Sequence, residues 1–149
     1  MKVSIEFSDL DLQRAFNAME PKTFKTAVKA GMRRSLNIIK KRAVANYKAA
    51  YPGSDRYKYI HAKVYRTGTG AMIDLLFLKK DKEMRPWVMR FQNKGTAMRA
   101  TRQGYDRGFM PASDFFGEAV ESTKGQAQAE LMRNVNEAIV KKARKEGLV

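Results

Sequence analysis

The sequence lacks cysteine altogether and has a single histidine, His61, among its 149 residues. Without cysteine there can be no disulfide framework, no thiolate zinc site and no thiol nucleophile. Asp and Glu are scattered without the spacing of a metal-binding cluster, and no glycine-rich phosphate-binding motif is present. We therefore expect no metal, no cofactor and no catalytic residue, because nothing in the sequence points to a reaction.

Acidic residues and long apolar runs are also scarce. The chain has 15 Asp and Glu against 30 Lys and Arg, which gives a formal net charge of +15. No stretch approaches the roughly 20 apolar residues of a membrane-spanning helix, and the first residues lack the apolar core of a secretion signal. We expect a soluble protein with no membrane contact, whose charge favours nucleic acid or the acidic faces of other proteins as partners.

Two long amphipathic helices are the clearest structural signal. The first is predicted from Lys22 to Ala50 and the second from about Asp114 to Glu146, where Ser113 or Asp114 can cap free amides. The buried stripe predicted for the first helix is Phe24, Val28, Met32, Leu36, Ile39, Ala43 and Tyr47. The stripe predicted for the second is Phe116, Val120, Ala127, Leu131, Val135 and Ile139.

Strand patterns are shorter. Residues Lys2–Phe7 alternate as a half-buried strand and lead into a short helix, whereas Tyr59–Arg66 and Met72–Leu78 flank a glycine-containing turn as a hairpin. Lys79–Glu83 is too charged to be core, and Trp87–Phe91 fits either a strand or a helical turn. The order of elements predicts an α+β fold over residues 1–149, a single domain in which a small antiparallel sheet packs against two long helices.

The segment over residues 97–110 is predicted to be an exposed, mobile loop, because it is rich in glycine and arginine and shows no sustained period. Its candidate partner-binding residues are Arg99, Arg102, Tyr105 and Arg107. Arg and Tyr are enriched where proteins dock, which favours an interface. The same residues also resemble the Arg/Tyr set of a small ribonuclease toxin, in which cations hold the phosphate.

Other candidate features have more ordinary interpretations. Nine Lys or Arg and no acidic residue lie between Lys22 and Lys48, and such a face can follow phosphates. We favour a solvated face or one that meets acidic neighbours, because the charges are spread around the helix. His61 is interpreted as an exposed bystander with no carboxylate to orient it. Five aromatic residues are expected to be buried: Trp87, Phe91, Phe109, Phe115 and Phe116.

Three segments occur in an order that is typical of one protein family. Phe7–Phe16 joins a short strand to a short helix and precedes a helix rich in Lys, Arg and Ala. Arg90–Thr96 follows the hairpin and ends in Gly-Thr, and Phe109–Ala119 is a proline-containing, Phe-rich start of a final helix. Together these segments resemble the tail-completion or head-tail joining family of tailed bacteriophages, whose members are also called neck or minor tail proteins.

The resemblance implies a non-enzymatic virion protein at the head-tail junction of a phage or prophage, present in the host cytoplasm during assembly. Its partners would be copies of itself in a six-membered ring, the tail tube and the head connector, with at most weak nonspecific contact with DNA. Asn93, Lys94 and Asp114 depart from the family's usual residues, and residues 97–110 look like an insertion. The alternatives are a basic nucleic-acid-binding protein and, behind it, a small ribonuclease toxin.

Overall fold

The structure, a computed structural model, describes residues 21–68, 70–75 and 88–145. The predicted strand Lys2–Phe7, the short helix after it and the turn Lys79–Glu83 lie outside these residues. The described elements, in chain order, are α1 (Pro21–Ala50), a 3₁₀ helix (Asp55–Tyr59), β1 (Ile60–Val64), β2 (Ala71–Leu75), α2 (Val88–Lys94) and α3 (Phe115–Lys145). The predicted α+β fold is confirmed, because a two-stranded antiparallel sheet packs against two long helices.

Helix α1 carries the apolar stripe that its spacing predicts. All seven residues of that stripe are buried, and Leu36, Ile39, Ala43 and Tyr47 are at most 1% exposed. Pro21 suits the first helical position, because the first amides of a helix have no partner within it. Helical propensity alone does not hold such a helix in place; burial of this stripe against α3 and the hairpin does.

Helices α1 and α3 approach each other closely at Gly31. A β-carbon built on Gly31 would lie 2.8 Å from Cδ1 of Leu131, so only a residue without a side chain fits there unmoved. Four residues of the predicted α3 stripe are buried, Val120 is half-buried, and the side chain of Ile139 lies outside the described part. The buried four are Phe116, Ala127, Leu131 and Val135.

The hairpin confirms both predicted strands within the described residues, and residues 76–78 of the predicted second strand lie outside them. Ala62 pairs with Ile73 in the antiparallel register, and the amide of Tyr65 donates to the carbonyl of Gly70 across the turn. Strand β1 begins at Ile60 because Tyr59 belongs to the preceding 3₁₀ helix and is buried. Ile60 and Ile73 belong to the same buried cluster as Leu36 and Ile39 of α1, so the sheet closes this side of the core.

A polar network spans the contact between the two helices. Asn134 is buried; its Nδ2 donates to the backbone carbonyl of Glu130 at 2.6 Å and to Oε1 of the same residue at 2.8 Å, and Arg34 donates to its Oδ1. Two hydrogen bonds hold the pKa of the Glu130 carboxyl below its usual value: the one from Asn134 has the larger effect, and the one from Arg133 the next largest. These bonds satisfy a buried amide and connect α1 to α3.

Ser35 lies buried on α1 without such pairing. Its side chain is fully buried, and its Oγ has no hydrogen-bond partner within the described part of the chain. An unpaired buried hydroxyl is costly, and alanine is the better helix former, so we expect Ser35→Ala to raise the free energy of unfolding by about 1 kcal/mol. Urea unfolding followed by circular dichroism measures this. Ser122→Ala on α3, where the hydroxyl is exposed and bonded to Ala119, is the control; a loss of stability in Ser35→Ala would contradict the expectation.

Candidate interaction surface

The short helix α2 supplies two buried amide side chains next to the loop predicted to bind partners. Residues 88–91 of the Trp87–Phe91 segment are helical, and Trp87 lies outside the described residues. The helix ends at Lys94, and Gly95 directly after it has a φ of 72°, in the left-handed region that glycine tolerates. Gln92 and Asn93, in its last turn, are 7% and 6% exposed. Buried amides of this kind need hydrogen-bond partners, and their partners lie in distant parts of the chain.

Gln92 connects α1 to the start of α3. Its Oε1 accepts from the hydroxyl of Tyr47 at 3.0 Å, and its backbone carbonyl accepts from the hydroxyl of Tyr51 at 3.3 Å. The same carbonyl accepts both the amide and the hydroxyl of Ser113, at 2.9 Å and 2.8 Å. Tyr47 also packs edge-on against Phe115, with ring centroids 5.0 Å apart. Three elements therefore meet at one residue.

Asn93 caps α3, a role that the sequence assigned to Ser113 or Asp114. Its Oδ1 accepts from the amide of Phe116 at 2.8 Å, and its carbonyl accepts from the amide of Asp114 at 3.0 Å. The Ser113 hydroxyl is occupied with the carbonyl of Gln92, and Asp114 adopts a positive φ of 43°. The acceptor for the amide of Phe116 thus comes from α2, and it fixes where the final helix begins.

Residues 96–110, here called the arm, form a hydrogen-bonded hairpin on this base. The amide of Thr96 donates to the carbonyl of Met110 at 2.9 Å, and the amide of Met110 donates back to Oγ1 of Thr96 at 2.9 Å. Further out, the amide of Thr101 donates to the carbonyl of Tyr105 at 2.8 Å, and Ala100 bridges to Asp106. The predicted loop therefore has paired backbone along its length; its mobility stays a prediction.

A bulge bends the arm at its middle. Arg99 donates its amide to Gly108 at 3.1 Å and accepts the amide of Arg107 at 2.7 Å, so two residues of one side oppose one residue of the other. Gly108 takes the positive φ of 66° at this point. The carboxylate of Asp106 accepts the amide of Gly108 at 2.7 Å, which turns the arm's acidic side chain toward its own backbone.

The side chains of the arm point away from the core. All four candidate partner-binding residues, Arg99, Arg102, Tyr105 and Arg107, are exposed, and Tyr105 is 69% exposed. Met98 and Phe109 are 65% and 63% exposed, and Phe91 of α2 is 46% exposed at the base. The prediction of burial is right for Phe115 and Phe116 and wrong for Phe91 and Phe109. Phe109 lies on the arm, which carries it away from the helices, and Phe91 lies on the exposed side of α2, whose buried residues are Met89, Gln92 and Asn93.

Exposed aromatic and arginine side chains on one short hairpin are suited to binding a partner. Large apolar groups and guanidinium groups supply most of the energy at protein interfaces when a partner covers them. Catalysis requires groups that converge on one point, whereas Arg102 and Tyr105 stand on the exposed side of a turn. Among the described residues, no group of three or more His, Asp or Glu side chains could hold a metal ion.

His61 departs from its predicted exposure. The residue is half-buried in β1, and its Nε2 is inaccessible to solvent, with no hydrogen-bond partner within the described ranges. A general base needs an accessible nitrogen and a group that orients the ring. Nε2 is covered, so the arrangement offers no support for a general-base role at that nitrogen.

The comparisons with known proteins add no relative. No protein-family model, curated protein or solved structure matches this chain. Across residues 21–68, 70–75 and 88–145, no helix is both long enough and apolar enough to cross a membrane. Functional inference therefore depends on the sequence segments described above and on the geometry of the arm and its base.

Proposed function

We propose that this chain is a structural protein of the head-tail junction of a tailed phage or prophage, a tail-completion or neck subunit without enzymatic activity. Copies of the chain form a six-membered ring that binds the tail tube on one side and the head connector on the other. The virion is its final location, and the host cytoplasm is the place of assembly. The observation that carries the proposal is the arm, an exposed arginine- and aromatic-bearing hairpin on a buried, hydrogen-bonded base.

The position of the arm supports this proposal. Two of the three segments that resemble the phage family, Arg90–Thr96 and Phe109–Ala119, lie on either side of it in the sequence. Hydrogen bonds from Ser113 and Asp114 to Gln92 and Asn93 bring these segments together in space. An insertion between two segments held in this way extends outward from a fixed point. It can therefore contact a neighbouring subunit without disturbing the core.

The chemistry of the arm also fits an assembly protein. A cyclic ring requires two different complementary patches on each subunit, and an exposed hairpin is one such patch. Four exposed large apolar side chains lie on the arm or at its base: Phe91, Met98, Tyr105 and Phe109. Side chains of this size stay exposed at a cost unless a partner covers them. The surrounding arginines then select an acidic partner face and speed its association.

The proposal predicts that charge reversal on the arm abolishes assembly. Arg102→Glu/Arg107→Glu is expected to leave the fold intact, because both side chains are exposed, and to prevent rings from forming on tail tubes of the phage or prophage that encodes the chain. Negative-stain electron microscopy and native mass spectrometry detect the rings and count their subunits. Lys41→Glu/Arg42→Glu changes the charge equally on exposed positions of α1 and should assemble as the unaltered protein does.

The alternatives give different results in the same preparations. A ribonuclease toxin cleaves RNA and loses that activity in Arg102→Ala or Tyr105→Phe, whereas the proposed subunit cleaves none. Inactivating the gene in an inducible prophage should yield filled heads and tails that do not join. Normal virions from that strain, or RNA cleavage that depends on Arg102, would reject the proposal.

A further inference from the structure

Eight of the nine basic residues of α1 fall into two rows, and the two rows lie in different surroundings. Spacings of three, four and seven residues place one set on the same side of the helix: Lys22, Lys25, Lys29, Arg33 and Lys40. A second set recurs every seven residues on another side: Arg34, Lys41 and Lys48. Apart from Arg42, the charges that seemed spread around the helix are therefore ordered along it, and the first set is called the long row below.

Protein groups engage both ends of the second row. Arg34 donates to the buried Asn134 of α3, and Nζ of Lys48 lies 4.1 Å from the centre of the Tyr57 ring, a cation–π contact. These contacts give the second row a role within the fold. Only its middle member, Lys41, lacks such a contact in the described part of the chain.

Within residues 21–68, 70–75 and 88–145, the long row has no acidic partner. No ion pair among the described residues involves a side chain of α1. Lys29 donates to the backbone carbonyl of Arg66, and a β-carbon built on Gly68 would lie 3.0 Å from Lys25 and 3.1 Å from Lys29. The hairpin turn therefore sits against the row and adds the exposed Arg66 to it. Like charges gathered without compensation repel one another, so the row is suited to an external polyanion.

The dimensions and composition of the long row favour a nucleic-acid duplex over other polyanions. From Lys22 to Lys40 it extends about 27 Å, with successive cations about 5–10 Å apart along the axis. None of the large exposed apolar side chains lies on α1; they belong to the arm, α2 and α3. A protein partner needs apolar anchors, and single-stranded nucleic acid needs aromatic stacking. A membrane surface needs an exposed apolar helix face, whereas the apolar face of α1 is buried.

We infer that the long row of α1, together with Arg66, binds the phosphate backbone of a nucleic-acid duplex without reading its sequence. The row does not overlap the arm, so this inference is independent of the proposed function. At physiological salt, contacts of this kind give dissociation constants of about 1–100 µM. A weak contact holds a duplex near the protein and still lets it slide along the helix.

The test is the salt dependence of binding to a fluorescent duplex DNA of about 20 base pairs, which exceeds the length of the row. Contact with about four phosphates gives a slope of about −3.6 for log affinity against log salt, or roughly 150-fold weaker binding at about 200 mM than at about 50 mM. Lys25→Gln/Arg33→Gln, which removes two cations of the long row, should reduce that slope by about 2. Lys41→Gln/Lys48→Gln removes the same charge from the second row and should keep the slope of the unaltered protein.

Each outcome decides for or against the inference. Equal loss of binding in the two variants would show that net charge alone acts, and absence of binding at low salt would remove the site; either result overturns it. Binding of polyglutamate with the same slope, and no binding of the duplex, would assign the row to an acidic protein instead. A duplex RNA of equal length distinguishes the two nucleic acids. If it binds more weakly than the DNA, the row is assigned to DNA; if it binds equally, the row accepts either duplex. Both results support contact with phosphates. Failure of any kind here leaves the arm experiment unaffected.

Discussion

Gly95→Ala is expected to lower the free energy of unfolding by about 3 kcal/mol. The added β-carbon is strained in the left-handed backbone conformation, and it also overlaps neighbouring backbone atoms. Gly95 has a φ of 72°, and a β-carbon there would lie 2.9 Å from the carbonyl oxygen of Met110 and 2.9 Å from the amide nitrogen of Ala112. Both atoms belong to the backbone, so no side-chain rotation relieves the contact. Urea unfolding followed by circular dichroism gives the size of the loss.

Gly104 provides a matched control for that experiment. It has a positive φ of 85°, but a β-carbon there would meet nothing within 4 Å. Gly104→Ala should therefore cost only about 1 kcal/mol, the strain of the left-handed conformation. Hydrogen exchange at the amides of Thr96 and Arg99 should accelerate in Gly95→Ala, because the base of the arm must shift. Equal losses in the two variants would show that the contact with residues 110–112 is unimportant.

Asn93→Ala is the second large effect, expected to cost about 2–3 kcal/mol. The change removes the acceptor of the Phe116 amide, leaves that buried amide unpaired and empties space beside the first turn of α3. Asn136→Ala, at an exposed position of the same helix, should change stability little, because alanine is the better helix former. A loss below about 1 kcal/mol in Asn93→Ala would mean that the cap contributes little to stability.

Beyond the global loss, Asn93→Ala should change the local behaviour of α3. Without its cap, the first turn of the helix around Phe116 should exchange its amide hydrogens faster than the helix centre around Leu131. A uniform change along α3 would argue that only overall stability has fallen. This comparison separates a role for Asn93 in positioning the helix start from a general role in packing.

The sequence predicted the helical core well because its signal is long and repeated. Seven apolar residues over α1 repeat with the period of a helix, so the period would be clear even if one position departed from it. Every one of the seven is buried. The hairpin was predicted because glycines mark its turn. Trp87–Phe91 could not be assigned, since so few residues do not distinguish a helical period from a strand.

The base of the arm could not be predicted in the same way. Gln92 bonds to Tyr47, 45 residues away, and Asn93 bonds to Phe116, 23 residues away, so the partners of both amides depend on how distant elements pack. Their position three and two residues before Gly95 was the available signal, a polar pair near a helix end. Residue type alone places Phe91 and Phe109 in the core, whereas the orientation of α2 exposes Phe91 and the course of the arm exposes Phe109.

The candidate partner-binding residues were found for a simpler reason. Arg99, Arg102, Tyr105 and Arg107 lie close together in one segment, so any exposed course of that segment brings them to one surface. Their function as an interface stays a prediction that the assembly experiment tests. The spacing of the basic residues alone predicts the two rows on α1. The contacts of Arg34 with Asn134 and of Lys48 with Tyr57 are visible only in the structure.

The closed base of the arm lets the sequence of the arm change independently of the sequence of the core. Thr96 and Met110 are joined by reciprocal hydrogen bonds, so residues 97–109 begin and end at one fixed place. Lengthening such a loop costs little, about 0.6 kcal/mol for each doubling. Related chains can therefore exchange this segment for others of different length and charge, acquiring new binding preferences while the remaining helices and strands keep their sequence.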